Sequence, residues 1–284
     1  MKARAYSKIN LSLDVFNVRE DGYHDLKSIM IPLHFYDELK IEKADQDCFD
    51  CNKTFLKMDG HNSIFKMISI VRERYGIRDH FAVTLNKMVP TQAGLGGGTA
   101  DAAAALRILK RMYQLKIGKE ELREICTSVG ADVLFNYYNV PSAVEGIGDR
   151  IEPFEIRGQY YVLLVKPKKG VSTKEAYEKL DMQNCAHPDI DSLKKALTEG
   201  KPIKGLLGNS LEQPALELNR EIGAIKEKLR SLGAENVLMS GSGSTVFCIS
   251  SDKEEIANLY NAMKHTKYFV RFTSAMNGKT YDID

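Results

Sequence analysis

The chain has 284 residues, of which 43% are hydrophobic and 27% charged, and its 40 Lys+Arg against 38 Asp+Glu leave a formal charge of +2. A chain of this length buries enough apolar surface to fold without disulfide or metal staples. The near-balance of charge argues against affinity built on broad phosphate-backbone neutralisation, so no nucleic-acid partner is expected, while a local pocket for a small anion stays open. The longest apolar run, Tyr160 to Val165, is far too short to cross a bilayer, and Met1 to Lys8 has a charged start with no apolar stretch behind it. Neither a membrane partner nor a signal peptide is expected. Five scattered cysteines, Cys48, Cys51, Cys126, Cys185 and Cys248, suit a reducing compartment, which places the expected location in the cytoplasm. The close pair Cys48 and Cys51 has only His61 nearby and no second pair at zinc-ligand spacing, so it reads as two thiols in a polar loop, with no metal site.

In chain order, Arg4 to Val15 and Ser28 to Lys43 are β-prone and predict strands. Asn62-Ser63 predicts a helix cap before the apolar stripe Ile64, Met67, Ile68, Val71 and Tyr75. Phe81 to Leu85 predicts a strand, closed by Pro90. A glycine run at 94–98 leads into an Ala-rich helix from about Thr99 to Tyr113, and Lys119 to Val129 predicts a short helix before Gly130-Ala131-Asp132. After the polar stretch at Arg157-Gly158-Gln159 come strands over 160–166, 236–239, 245–249 and 268–275, with helices near 173–181, 219–232 and 253–264. Adjacent strands that often lack an intervening helix predict an α/β fold of the α+β type, and the chain length with the polar stretch predicts two lobes, 1–157 and 158–284.

The segment Pro90-Thr91-Gln92-Ala93-Gly94-Leu95-Gly96-Gly97-Gly98-Thr99-Ala100 is the most informative. Glycines at this density cost too much backbone entropy to serve only as helix or strand. They let successive N–H groups converge, and a following helix adds a partial positive charge of about half an elementary unit at its N-terminus. That combination is a phosphate cradle, with the Thr99 hydroxyl at the cap. It lacks the Gly-Lys-Ser/Thr ending of a P-loop and the glycine spacing of a dinucleotide fingerprint.

Residues 90–103 resemble the glycine signature of the GHMP kinase superfamily (galactose, homoserine, mevalonate and phosphomevalonate kinases). Ala5 to Leu11 resembles its N-terminal motif, and Met239 to Phe247, with Gly241 and Gly243, resembles its C-terminal glycine motif. The resemblance therefore spans nearly the whole chain and implies the two-lobe fold of that superfamily, with a central cleft. Gly22-Tyr23-His24-Asp25-Leu26, Gly130 to Val133, Val144 to Asp149 and Asn209 to Glu212 resemble the branch acting on a cytidylyl substrate. The implied reaction is phosphorylation, with ATP as Mg-ATP, of the 2-hydroxyl of 4-diphosphocytidyl-2-C-methyl-D-erythritol, a step in making isoprenoid precursors. Leu134 stands where the branch usually has proline, and Asn139-Val140-Pro141-Ser142-Ala143 stands in place of a Gly-Gly turn, so the loop after Asp132 is expected to differ.

The resemblance assigns Asp132 as the base that takes the hydroxyl proton and Lys8 as the cation between Asp132 and that hydroxyl. A Lys–Asp pair about 4 Å apart is worth ~4 kcal/mol at an effective dielectric near 20. It places ATP on residues 90–100, with Asn62 and Lys87 on the adenine side. It also places cytosine on Tyr23 and His24, with Tyr177 as a second aromatic wall. Asn10, two residues after Lys8, falls on the same face of a strand. The Ser240 to Gly243 turn is expected to pack on the phosphate loop. No protein-held metal is assigned, and oligomeric state stays open. The competing readings are another GHMP kinase acting on mevalonate, homoserine or a sugar, and a non-catalytic nucleotide-binding protein of the same fold.

Overall fold

The first strand sets the layout. In a computed structural model that describes residues 1–57 and 59–278, β1 (Lys2–Val18) buries Ala3, Ala5, Ile9, Leu11, Leu13 and Val15. These residues contribute in turn to the three large apolar clusters. β1 pairs antiparallel with β2 (His24–Ala44). β3 (Cys48–Cys51), α1 (Ser63–Tyr75), β4 (His80–Asn86), α2 (Gly97–Met112), α3 (Lys119–Val129), α4 (Val133–Tyr138), β5 (Ser142–Gly146) and β6 (Arg150–Pro153) follow. The larger sheet of the described residues runs β3-β4-β2-β1, with β5 and β6 extending from β2.

The second half is β7 (Tyr161–Lys166), α5 (Thr173–Glu178), α6 (Ile190–Glu199), β8 (Gly208–Asn209), α7 (Glu212–Leu218), α8 (Glu221–Ser231), β9 (Val237–Met239), β10 (Val246–Ser250), α9 (Lys253–Met263) and β11 (Phe269–Ser274). Its own sheet runs β11-β7-β10-β9, all antiparallel. β8 leaves it and pairs with β1 at Ser12 and Leu13, completing the larger sheet. β7 explains the unbroken apolar run. Val162 and Leu164 enter the cluster that holds Ile9, Leu11 and Ile31, while Leu163 and Val165 enter the cluster with Ile222, Ile225 and Ile256. A strand covered on both faces needs no polar alternation.

The predicted strands and helices are present, with longer β1 and β2 and with α2 starting at Gly97. The Cys48–Cys51 segment is not a loop: it is an edge strand parallel to β4, matching Cys48 with Ala82 and Cys51 with Leu85. Short elements escaped the sequence reading, namely α4, β5, β6, β8 and α7. α6 did so too, although Asp189 caps it by accepting from Ser192 N at 3.0 Å and Ile190, Leu193, Ala196 and Leu197 form its buried stripe. Both departures after Asp132 fit ordinary geometry. Leu134 lies in the first turn of α4, where a backbone N–H has no helical partner and proline and leucine serve equally. Asn139 ends α4 in the left-handed region at φ 50°, which asparagine tolerates better than most residues.

Lys87, expected on the adenine side, is buried in an ion cluster. Its ammonium is 3% exposed and donates to Asp37 Oδ2 and Asp101 Oδ2, each at 2.6 Å. Asp37 Oδ1 also accepts from the N–H groups of Met88 (2.5 Å) and Val89 (2.7 Å). A cation this deep needs a charged partner and its hydrogen bonds met, and the two aspartates together tie β2 and the end of β4 to the first turns of α2, beneath the glycine loop.

Burial raises Asp101 from an ordinary 3.8 to about 8, with Lys87 opposing and the Asp37 charge adding to the rise. A folded-state value above the unfolded one means that the native chain holds the proton more tightly. That stabilisation is complete below about pH 4 and is lost as pH rises to about 8. The stability of the wild type relative to Asp101→Asn, measured by urea unfolding from about pH 5 to about pH 9, is therefore expected to fall with rising pH and then level off; a flat difference refutes the assignment.

The two halves also meet backbone to backbone. Gly94 has φ 71°, and a Cβ there would lie 1.9 Å from the Ser240 carbonyl oxygen. Gly94→Ala is expected to cost more than the ~1–2 kcal/mol of left-handed backbone alone, since the Ser240 turn must also retreat. Denaturant unfolding of the variant within about 0.5 kcal/mol of wild type contradicts this contact.

Candidate active site

Residues of both halves enclose a cleft of about 1020 Å³ lined by β1, the glycine loop, the start of α4, α5 and the Gly241–Gly243 turn. Lys8 reaches it from a short regular stretch of β1. Pairing with β2 is in step across Lys8, Ile9 and Asn10 and shifts on either side, between Tyr6 and Lys8 and between Asn10 and Ser12. The regular stretch preserves the two-residue period, so Lys8 and Asn10 share a face: Lys8 Nζ donates to Asn10 Oδ1 at 2.6 Å. Asn10 is held in turn, donating from Nδ2 to Ser28 Oγ (2.8 Å), whose hydroxyl donates to Ser12 O (2.6 Å). This chain of donors leaves Asn10 its oxygen for the ammonium.

Lys8 Nζ lies 3.2 Å from Asp132 Oδ2, with the lysine 4% and the aspartate 26% exposed. Asp132 stands at the N-terminal edge of α4, and Asn136, one turn on, anchors that helix by donating from Nδ2 to Tyr6 O at 3.2 Å. The cation is thus desolvated while its partner carboxylate opens to the cleft, an arrangement suited to handling a proton from a bound hydroxyl.

The glycine loop is built for close approach. The Lys8 N–H donates to Leu95 O (3.0 Å), Ser240 Oγ donates to Gly94 O (2.9 Å), and Thr245 N donates to Ala93 O (3.2 Å). Gly96, at φ 66°, is the N-cap of α2, and a Cβ on it would come within 3.0 Å of the Lys8 side chain. The helix has no side-chain cap at that end. Thr99 does not cap it as expected: its hydroxyl lies 2.9 Å from Gly96 O and 3.0 Å from Asn136 Oδ1, inside the first turn. The first N–H groups of α2 have no helical partner by geometry, and Gly96, Gly97 and Gly98 at its positive end line the cleft.

Lys8, Asn10, Tyr23, His24, Asp132, Tyr177 and the loop from Pro90 to Thr99 all line this cleft. Ala100 is buried behind it, and Lys87 is locked in the ion cluster below. Asn62 is outside the lining. Its Oδ1 accepts from Ile64 N at 3.0 Å as the cap of α1, and its Nδ2 donates to Lys57 O at 3.0 Å. α1 still meets the loop, because Ser63 Oγ donates to Gly98 O at 2.6 Å. The aromatic wall is more continuous than expected. The His24 and Tyr177 rings touch, with centroids 4.9 Å apart and planes at 45°, while Tyr23 is 61% exposed at the mouth. Burial, helped by the Asp132 charge, raises the Tyr177 phenol above its ordinary value.

Sequence reasoning missed Asn136, the Ser28 support behind Asn10, and the Thr173–Ser242 hydroxyl pair (2.8 Å) that bridges α5 to the glycine turn. Asn136 had a usable signal, lying four residues after Asp132, one helical turn.

Residues 62–146 match the family model for the GHMP kinases N terminal domain and residues 181–268 that for the GHMP kinases C terminal. The 4-diphosphocytidyl-2-C-methyl-D-erythritol kinase of Clostridium beijerinckii is 38% identical over 268 residues, covering 93% of this chain and 96% of that one. The Bacillus subtilis protein of the same name is 34% identical over 265 residues, 92% of each. Among solved structures, a 4-(cytidine 5'-diphospho)-2C-methyl-D-erythritol kinase superposes with a TM-score of 0.81 at 27% identity, covering 97% of this chain and all of that one. The chain belongs to the GHMP kinases and, within them, to the 4-diphosphocytidyl-2-C-methyl-D-erythritol kinase family.

Proposed function

We propose that the chain transfers the γ-phosphoryl group of ATP to the 2-hydroxyl of 4-diphosphocytidyl-2-C-methyl-D-erythritol, in the non-mevalonate route to isoprenoid precursors. The observation that carries this reading is the Lys8–Asp132 pair, 3.2 Å apart, in one cleft with the glycine loop. Phosphoryl transfer asks a protein for positioning and for electrostatic stabilisation. The N–H groups at the start of α2 bind the ATP phosphates. Asp132 accepts the proton of the attacking hydroxyl, and Lys8, fixed by Asn10, holds the alkoxide charge as it develops. His24, Tyr177 and Tyr23 take the cytosine, presenting ring faces to the base and polar edges to its amide and amine.

Magnesium accompanies ATP in this reading. The described residues gather no group of three or more His, Cys, Asp or Glu able to hold a metal. Asp132 is taken up by Lys8 and the proton transfer, so the ion would be held by the phosphate oxygens of the nucleotide and by its own waters, as magnesium commonly is. When bound, it would neutralise charge on the transferring group. We assign residues 1–157 to the nucleotide, the proton transfer and the Tyr23–His24 side of the aromatic wall, and 158–284 to Tyr177 and the closing turn. No helix among the described residues is long and apolar enough to cross a membrane; a cytoplasmic location is the reading we favour.

An ATP-dependent assay on the cytidylyl substrate tests the proposal. Phosphate is expected on its 2-hydroxyl, and phosphorylation of mevalonate with the cytidylyl compound ignored would overturn it. Asp132→Asn is expected to lower kcat by ~10²–10⁴-fold. ATP binding, followed by calorimetry, is expected to survive, and wild-type turnover in that variant would remove Asp132 from its role.

A further inference from the structure

After α5 in the chain, the segment 181–189 carries a second cluster of reactive groups, none of which lines the cleft. Cys185 Sγ lies 3.5 Å from His187 Nε2, and His187 Nδ1 lies 2.7 Å from Asp14 Oδ1. Met182 O is 3.3 Å from the same Nε2 and accepts from Cys185 Sγ at 3.8 Å. The segment is anchored rather than loose. Asp181 binds Gln183 N (3.0 Å) and Asn184 Nδ2 (2.8 Å), and Ser210 Oγ donates to Ala186 O at 2.7 Å. Asp14 projects from β1, so the cluster joins elements 173 residues apart.

We propose that Cys185, His187 and Asp14 form a thiol-modification site that exchanges with small disulfides. The Asp14 carboxylate fixes the proton on Nδ1 and leaves the Nε2 lone pair facing the sulfur. When Nε2 takes the thiol proton, the new N–H has two acceptors in reach, the thiolate and Met182 O, so the ion pair is held from both sides. The Asp14 hydrogen bond raises the His187 pKa, which favours the protonated imidazole. The thiolate then attacks one sulfur of the disulfide R–S–S–R. A bond forms from Cys185 Sγ to that sulfur, the R–S–S–R bond breaks, and the departing thiolate takes the proton from His187 and leaves as RSH. Cys185 is oxidised and one R–S group is reduced, so the step balances.

The remaining cysteines supply the comparison. Cys126 and Cys248 are buried, and burial pushes each thiol up to about 12, which keeps them protonated and inert. Cys51 is half-buried like Cys185, and Cys48 is more exposed than either, so accessibility alone would make Cys48 the fastest.

The test treats the full chain with 2-hydroxyethyl disulfide at neutral pH and follows each cysteine by peptide mass mapping. Cys185 is expected to react about tenfold faster than Cys48. His187→Gln is expected to bring Cys185 down to the Cys48 rate, with the Cys48 rate itself unchanged as an internal control on folding. Asp14→Asn is expected to slow Cys185 by a smaller factor. A Cys185 rate at or below that of Cys48 in the wild type, or a Cys185 rate unaffected by His187→Gln, overturns the proposal.

Discussion

A lysine ammonium withdrawn from water is the constraint around which the cleft is arranged. Lys8 is 4% exposed, and a buried cation persists only where its hydrogen bonds and its charge are both answered. Asp132 answers the charge and Asn10 Oδ1 a hydrogen bond, and both demands propagate outward. Asn10 must be turned by Ser28, and α4 must be tied to β1 through Asn136. The space for the side chain exists because residues 96 and 241 are glycine: a Cβ at Gly96 would press on Lys8 Cγ and one at Gly241 would sit 3.4 Å from its ammonium. The glycines of two distant motifs thus act as clearance for one side chain as well as backbone for phosphate.

Below the loop, Lys87 repeats the theme with a different outcome. Its two carboxylates enclose it completely, so it serves as a fastener between sheet and helix and has no face toward a ligand. The two lysines differ in the exposure of their partners. Asp132 is 26% exposed, whereas Asp37 and Asp101 are 0% and 5%. A carboxylate open to solvent at the edge of a cleft can exchange a proton with a substrate; a closed one cannot.

Much of this was legible in the residues. The glycine run, the Lys8–Asn10 spacing and the apolar stripe of α1 each follow from a local rule, and the structure places the cleft residues Lys8, Asn10, Asp132, Tyr23, His24 and Tyr177 together. The departures have one physical origin, that a side chain's neighbours are set by the fold and not by its position in the chain. Lys87 beside a glycine loop reads like a phosphate ligand until Asp37, fifty residues earlier, is seen against it. Asn62 reads equally as cap or ligand, and α1 uses it as a cap. Cys48 to Cys51 is polar enough for a loop, yet becomes a strand because β4 offers an unpaired edge. β8 is two residues long and carries no pattern at all.

That two-residue strand has a bearing on how the protein is made. The outer edge of β1 is covered by Gly208 and Asn209, and the Ile9–Leu11–Ile31 cluster is closed by Val162, Leu164 and Phe247. A ribosome releases residues in order, so the first half emerges with an open strand edge and an apolar face that nothing yet synthesised can cover. Such a nascent chain is exposed to edge-to-edge pairing and to chaperones until its last third arrives. The halves divide the work of the cleft, but the first is not finished as a folded object until the second has reached back to complete it.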